Sequence, residues 1–126
     1  MADQIRTYRV SQESSDAEVT LRVDHSILTP KLAEEINHFW SGHEDRYSYA
    51  DDDHVMAVIK LAAVNFIGLV YEVMNDYTTE GMQSVFDGME GWGGSAEFHG
   101  ITLHDWLDFR PDLDSKDLLV EEVAND

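Results

Sequence analysis

Alternating apolar and polar positions open the chain. In Ala17–Asp24, Val19, Leu21 and Val23 alternate with Glu18, Thr20 and Arg22, the period-two pattern of a half-buried strand. Ile5–Val10 is shorter and less regular, with Tyr8 and Val10 on one face. The polar segment Ser11–Asp16 between them predicts a β-hairpin closed by a loop.

The period then changes to that of helices. Thr29 is placed as an N-cap, with Pro30 at the first helical position, where its missing N–H costs nothing. Leu32, Ile36, Phe39 and Trp40 follow as one apolar face, and Gly42 stops the helix. Asp51–Asp53 cap a second, longer helix running to about Met74, their charges complementing its dipole. Val55–Met74 is 20 residues long and mostly apolar, but Lys60, Asn65 and Glu72 interrupt it and acids flank it. It therefore reads as a buried core helix and not a membrane span. Thr78 or Thr79 caps a third, short helix with Met82, Val85, Phe86 and Met89 as its buried stripe. After the glycine-rich break Gly91–Ser95, Gly100–Leu103 and Leu118–Val123 read as strands. The β-β-α-α-α-β-β order predicts one α+β domain over residues 1–126, an antiparallel sheet of about four strands with two or three helices on one face.

Two stretches carry a family resemblance. The first runs from Val23-Asp24-His25 through Leu28-Thr29-Pro30, Leu32-Ala33 and Glu35-Ile36-Asn37 to Phe39-Trp40-Ser41-Gly42. The second is Gly100-Ile101-Thr102-Leu103 with Leu119-Val120-Glu121-Glu122-Val123. Together they resemble a family of small, acidic, functionally uncharacterised proteins of proteobacterial genomes, plasmids and prophages. The resemblance covers nearly the whole chain, and its motifs are structural. It implies a mobile-element setting, where small acidic proteins often block nucleic-acid-processing defence enzymes, and it supplies no activity and no site residues.

Charge changes the picture most. The 126 residues hold 26 Asp and Glu against 8 Lys and Arg, a formal net charge of −18. No base occurs between Lys60 and Arg110, and residues 72–126 carry 14 acids against Arg110 and Lys116. Such self-repulsion opposes compaction, so it points to a strongly positive partner or to a salt-rich environment. With 43% apolar residues the chain is no disordered acidic tail. The absence of cysteine excludes disulfides, thiol catalysis and Cys-based zinc sites. The N-terminal MADQIRTYRV has no apolar signal region, and a cytoplasmic protein is expected.

The catalytic motifs that come closest all fail. His43-Glu44 begins like a zinc-protease motif, but no histidine follows at the required spacing. His38 and His43, and likewise His99 and His104, are five apart and are placed on different faces. Asp112–Asp117 starts like a calcium loop, which Lys116, Asp117 and Val123 then break. The Gly91–Gly94 loop lacks the lysine of a phosphate-binding loop. His25, His38, His43, His54, His99 and His104 accordingly read as surface or capping groups. No catalytic, cofactor or metal residues are assigned, and no cofactor is expected.

The reading that remains is a non-enzymatic acidic binding protein. It mimics nucleic acid and occupies a basic groove of a nucleic-acid-processing or defence complex, as an anti-CRISPR or anti-restriction inhibitor does. Its partner is a basic protein surface, with no direct nucleic-acid contact and no membrane. Duplex DNA carries a charge per roughly 1.7 Å, so 18 charges match about 31 Å of duplex. A globule of this length is roughly 35 Å across. The expected contact residues are Glu80, Asp87, Glu90, Glu97, Asp105, Asp108, Asp112, Asp114 and Asp117, with Trp92 and Trp106 as aromatic anchors if they are exposed. The alternatives are a halophilic or generic acidic domain, and a metal-binding enzyme built on scattered histidines and carboxylates.

Overall fold

The computed structural model describes residues 4–12, 18–73, 78–106 and 118–123, with the backbone alone for 70–73. Strands β1 (Ile5–Gln12) and β2 (Glu18–Asp24) come first, followed by helices α1 (Pro30–Phe39), α2 (His43–Tyr49), α3 (His54–Val73), α4 (Thr79–Asp87) and α5 (Ala96–His99). Strands β3 (Ile101–Trp106) and β4 (Leu118–Val123) close the order. The four strands form one antiparallel sheet ordered β3-β2-β1-β4, the α+β arrangement the sequence predicts.

The pairing Tyr8↔Leu21 and Val10↔Val19 puts the apolar alternation of the hairpin on one face. Leu21↔Leu103 and Val10↔Val120 extend that face across the sheet. Tyr8, Val10, Val19, Leu21, Val23, Ile101, Leu103 and Leu118 are buried there. Thr20 opposes Asp105 while Leu21 opposes Leu103, so His104 is the extra residue of a β-bulge.

Helix α3 is buried on several sides, because Val58, Ile59, Ala62, Ala63, Phe66 and Ile67 are fully enclosed. It packs on β2 and β3 below and on α1, α2 and α4 around it. A helix apolar around most of its circumference is what such a central position requires. Among the described residues, no helix is long and apolar enough to cross a membrane.

The caps follow the sequence. Thr29 accepts from the Leu32 N–H at 3.2 Å ahead of Pro30, Thr78 from Gly81 at 3.0 Å, and Asp53 from Met56 at 3.1 Å. Helix α2 is an addition to the expected order. Its seven residues bury no side chain, so it has no apolar stripe to read. Arg46 holds it in place, donating to Asn37 Oδ1 at 2.7 Å and to the carbonyls of Asn37, Trp40 and Ser41 at 2.8–3.1 Å. Those carbonyls belong to the C-terminal end of α1 and the turn after it, where a cation is favoured.

Candidate functional site

The fold sorts the charges by layer. The four strands carry five acids against three bases. Glu122 pairs with Arg6 at 3.2 Å, and Arg9 pairs with Glu121 at 2.9 Å and Glu18 at 3.7 Å. The helices and their connections, residues 25–73 and 78–100, hold twelve acids against Lys31, Arg46 and Lys60. Among the described side chains, no Lys or Arg forms an ion pair with an acid of this layer. Arg46 is committed to carbonyl and amide oxygens as above, and Lys60 donates to the Tyr49 carbonyl at 3.0 Å. Three of the five sheet acids are paired with arginines, whereas ten of the acids in the helical layer are exposed with no such partner.

Within that layer the glycine loop forms an aromatic patch. Trp92 is fully buried, its ring 4.5 Å from Phe86 and 5.4 Å from Trp40. It pins the loop to the core and is no surface anchor: the loop folds its large side chain inward, against the expectation of a contact residue. Its indole N–H has no hydrogen-bond acceptor among the described residues. The exposed rings are Phe39, 51% exposed, and Phe98, 45% exposed. Gly91 and Gly93 have φ of +92° and +79°, and a Cβ there would sit 2.6 Å from the Trp40 ring and 2.1 Å from the Phe98 ring. Only glycine permits both this backbone and this approach. Exposed Glu90 and Glu97 adjoin the loop and Phe98.

A polar network seals the nearby edge of the sheet. Gln83 on α4 donates to the Ile101 carbonyl at 3.0 Å and accepts from the Leu103 N–H at 2.6 Å. Its amide thereby takes the place of a neighbouring strand along β3. It also donates to Asp87 at 2.9 Å, and Asp87 receives His99 Nε2 at 2.7 Å. His99 Nδ1 accepts the Ile101 N–H at 2.9 Å. That acceptor role puts the single ring proton on Nε2, so the imidazole is neutral. Burial pushes its pKa below the ordinary value, against the opposing pull of Asp87. With both nitrogens engaged and the ring fully buried, this Asp–His pair is structural. A shallow cleft of about 440 Å³ beside it is lined by Thr79, Glu80, Gln83 and Asp87 among others.

A second cluster lies where α1, α2 and α3 meet. The His38 and His43 rings stack at 4.2 Å, His54 lies 5.8 Å from His38, and Tyr47 packs on His54 at 4.3 Å. Gly42, at φ +81°, turns the chain so that the end of α1 and the start of α2 face each other. Spacing along the sequence put these histidines apart, but Gly42 is a turn as well as a stop.

The expected contact residues divide. Glu80, Glu90 and Glu97 are exposed on the helical layer. Asp87 is there too, half-buried, with its Oδ1 taken by Gln83 and His99. Asp105 opposes Thr20 on the outer sheet face and accepts from the Trp106 N–H, so it is not grouped with them. Trp106 packs partly buried against the core. Asp108, Asp112, Asp114 and Asp117 lie outside the described residues. Sequence reading missed Glu34, Glu35, Glu44 and Asp45, exposed on α1 and α2, because the charge skew points to the half without Lys or Arg. It also missed Phe39 and Phe98, since Phe39 belonged to an apolar helical face.

Residues 18–118 match the family model described as "Protein of unknown function (DUF2528)". The chain is similar to protein ea10 of Escherichia phage lambda, with 27% identity over 110 residues, covering 83% of this chain and 87% of that protein. It is similar to the same extent to a lambda prophage-derived protein ea10 of Escherichia coli O6:H1. No solved structure matches it significantly.

Proposed function

We propose that this chain, which belongs to the DUF2528 family of proteins of unknown function, is a non-enzymatic acidic binding protein that docks its helical layer onto a basic protein surface. The observation that carries this reading is the charge sorting: twelve acids against three bases in the helical layer, with Arg46 and Lys60 spent on backbone and amide oxygens. An uncompensated acidic face accelerates encounter with a positive surface and disfavours other partners. Phe39 and Phe98 supply apolar contact within it, as interface cores require. Glu34, Glu35, Glu80, Glu90 and Glu97 supply the field.

The finer reading is a nucleic-acid mimic that inhibits a nucleic-acid-processing or defence complex. The phage and prophage relatives support that setting, and the charge per length is of the order of duplex DNA. Direct DNA or RNA contact by this face is disfavoured, since its usual footprint is basic. The test is capture from a nuclease-treated lysate of the bacterium that carries the gene, eluted by a salt gradient and then by duplex DNA. The reading expects basic nucleic-acid-binding proteins that both salt and DNA displace. Partners that are neutral or acidic, or that DNA leaves bound, would overturn the mimicry.

A further inference from the structure

The histidine cluster goes beyond an electrostatic surface. Glu34 and His38 are four apart on α1, so their side chains share one helix face. His54 enters from the first residue of α3. A carboxylate oxygen of Glu34 and one ring nitrogen each from His38 and His54 lie within 4.8 Å of one another. Around a tetrahedral ion with bonds of about 2.0–2.1 Å, such atoms stand about 3.3 Å apart. Glu34 and His38 are exposed and His54 is half-buried, so modest side-chain rotations close that gap. The backbones they hang from are helical, and Arg46 locks α1 to α2 beside them.

We propose that Glu34, His38 and His54 form a binding site for a divalent transition metal of the zinc class. Two imidazoles and one carboxylate suit zinc, nickel or copper and not magnesium or calcium, which take oxygen ligands. Three protein ligands leave a fourth position for water, or for His43 after it turns from its stack on His38. Glu44 lines a cleft together with His38, His43 and His54, adding negative charge that favours a cation. The bound ion ties the start of α3 to α1 and offsets part of the local repulsion between acids.

The test uses untagged, chelator-stripped full-length protein titrated with zinc chloride, followed by calorimetry and thermal melting. One zinc per chain and a rise in Tm are expected. His38→Ala and His54→Ala each weaken binding by about tenfold or more, while His104→Ala, on β3, leaves it unchanged. Cobalt binding adds visible absorption that His54→Ala removes. These ligands are at least partly exposed, so the variants keep the parent fold, and circular dichroism confirms it. Zinc binding undiminished in the His38→Ala/His54→Ala double variant would overturn the site. So would magnesium giving the same stabilisation as zinc, which reports general attraction to acids.

Discussion

Asp87 and His99 meet at 2.7 Å, twelve residues apart in sequence, across the gap between α4 and α5. The contact resembles an ion pair, yet it is a hydrogen bond to a neutral imidazole, because Nδ1 is already an acceptor for the Ile101 N–H. Protonating that nitrogen would set two N–H groups against each other inside the core.

This fixes a pH dependence. Burial lowers the folded-state pKa of His99 below its ordinary value of 6.5, so in that range the unfolded chain binds the extra proton. The contribution of His99 is complete above pH about 6.5 and is lost as pH falls through the folded value, with a slope of up to about 1.4 kcal/mol per pH unit. Relief of acid–acid repulsion works the other way at lower pH, so the comparison is with His99→Gln. Urea unfolding of both proteins from pH 8 to 5 should show their stabilities converging as pH falls. Parallel curves would mean that His99 is not held neutral.

Gln83 covers the open edge of β3. Gln83→Leu leaves the Ile101 carbonyl and Leu103 N–H without their partner, a loss of about 2–3 kcal/mol. It also exposes a strand edge, so self-association should appear in size-exclusion chromatography at high concentration. Gln83→Glu retains an acceptor for Leu103 but faces the Ile101 carbonyl and Asp87 with negative charge, and it should destabilise the protein comparably.

The glycine loop offers an internal comparison. Gly91→Ala and Gly93→Ala add a Cβ into aromatic rings at left-handed φ, whereas Gly94→Ala, at φ +93°, meets nothing within 4 Å. Thermal melts should show Gly94→Ala costing about 1 kcal/mol from backbone conformation alone, and the other two about 1–3 kcal/mol more.

Arg46 binds four oxygen atoms at the junction of α1 and α2. Arg46→Ala should destabilise the protein by about 2–3 kcal/mol. Arg46→Lys should recover less than half of that, because an ammonium cannot reproduce the planar fork. Equal stability of the two variants would show that the charge alone matters.

The legible parts of the fold were those with local chemistry. Thr29-Pro30 fixed the start of α1, alternation fixed which face of the hairpin is buried, and Leu118–Val123 carried its own strand pattern. Helix α2 was invisible because tertiary hydrogen bonds to Arg46, and not an apolar face, make it form. Trp92 was ambiguous because its burial depends on two glycines accepting positive φ beneath rings that arrive from α1 and α5. The histidine cluster had one local signal, the four-residue spacing of Glu34 and His38. The rest came from the turn at Gly42 and from the start of α3, which no spacing rule connects.

The charge sorting is tested most directly by moving the charge. Glu34, Glu35, Glu80, Glu90 and Glu97, all exposed on the helical layer, are changed together to Gln in one variant. Glu18, Glu121 and Glu122, which pair with arginines of the sheet, are changed to Gln in another. Association rates with the captured partner are then measured across a salt series. The helical-layer variant should bind more slowly, with a shallower salt dependence, while the sheet variant keeps the parent rate. Unchanged association by the helical-layer variant at low salt would contradict the account.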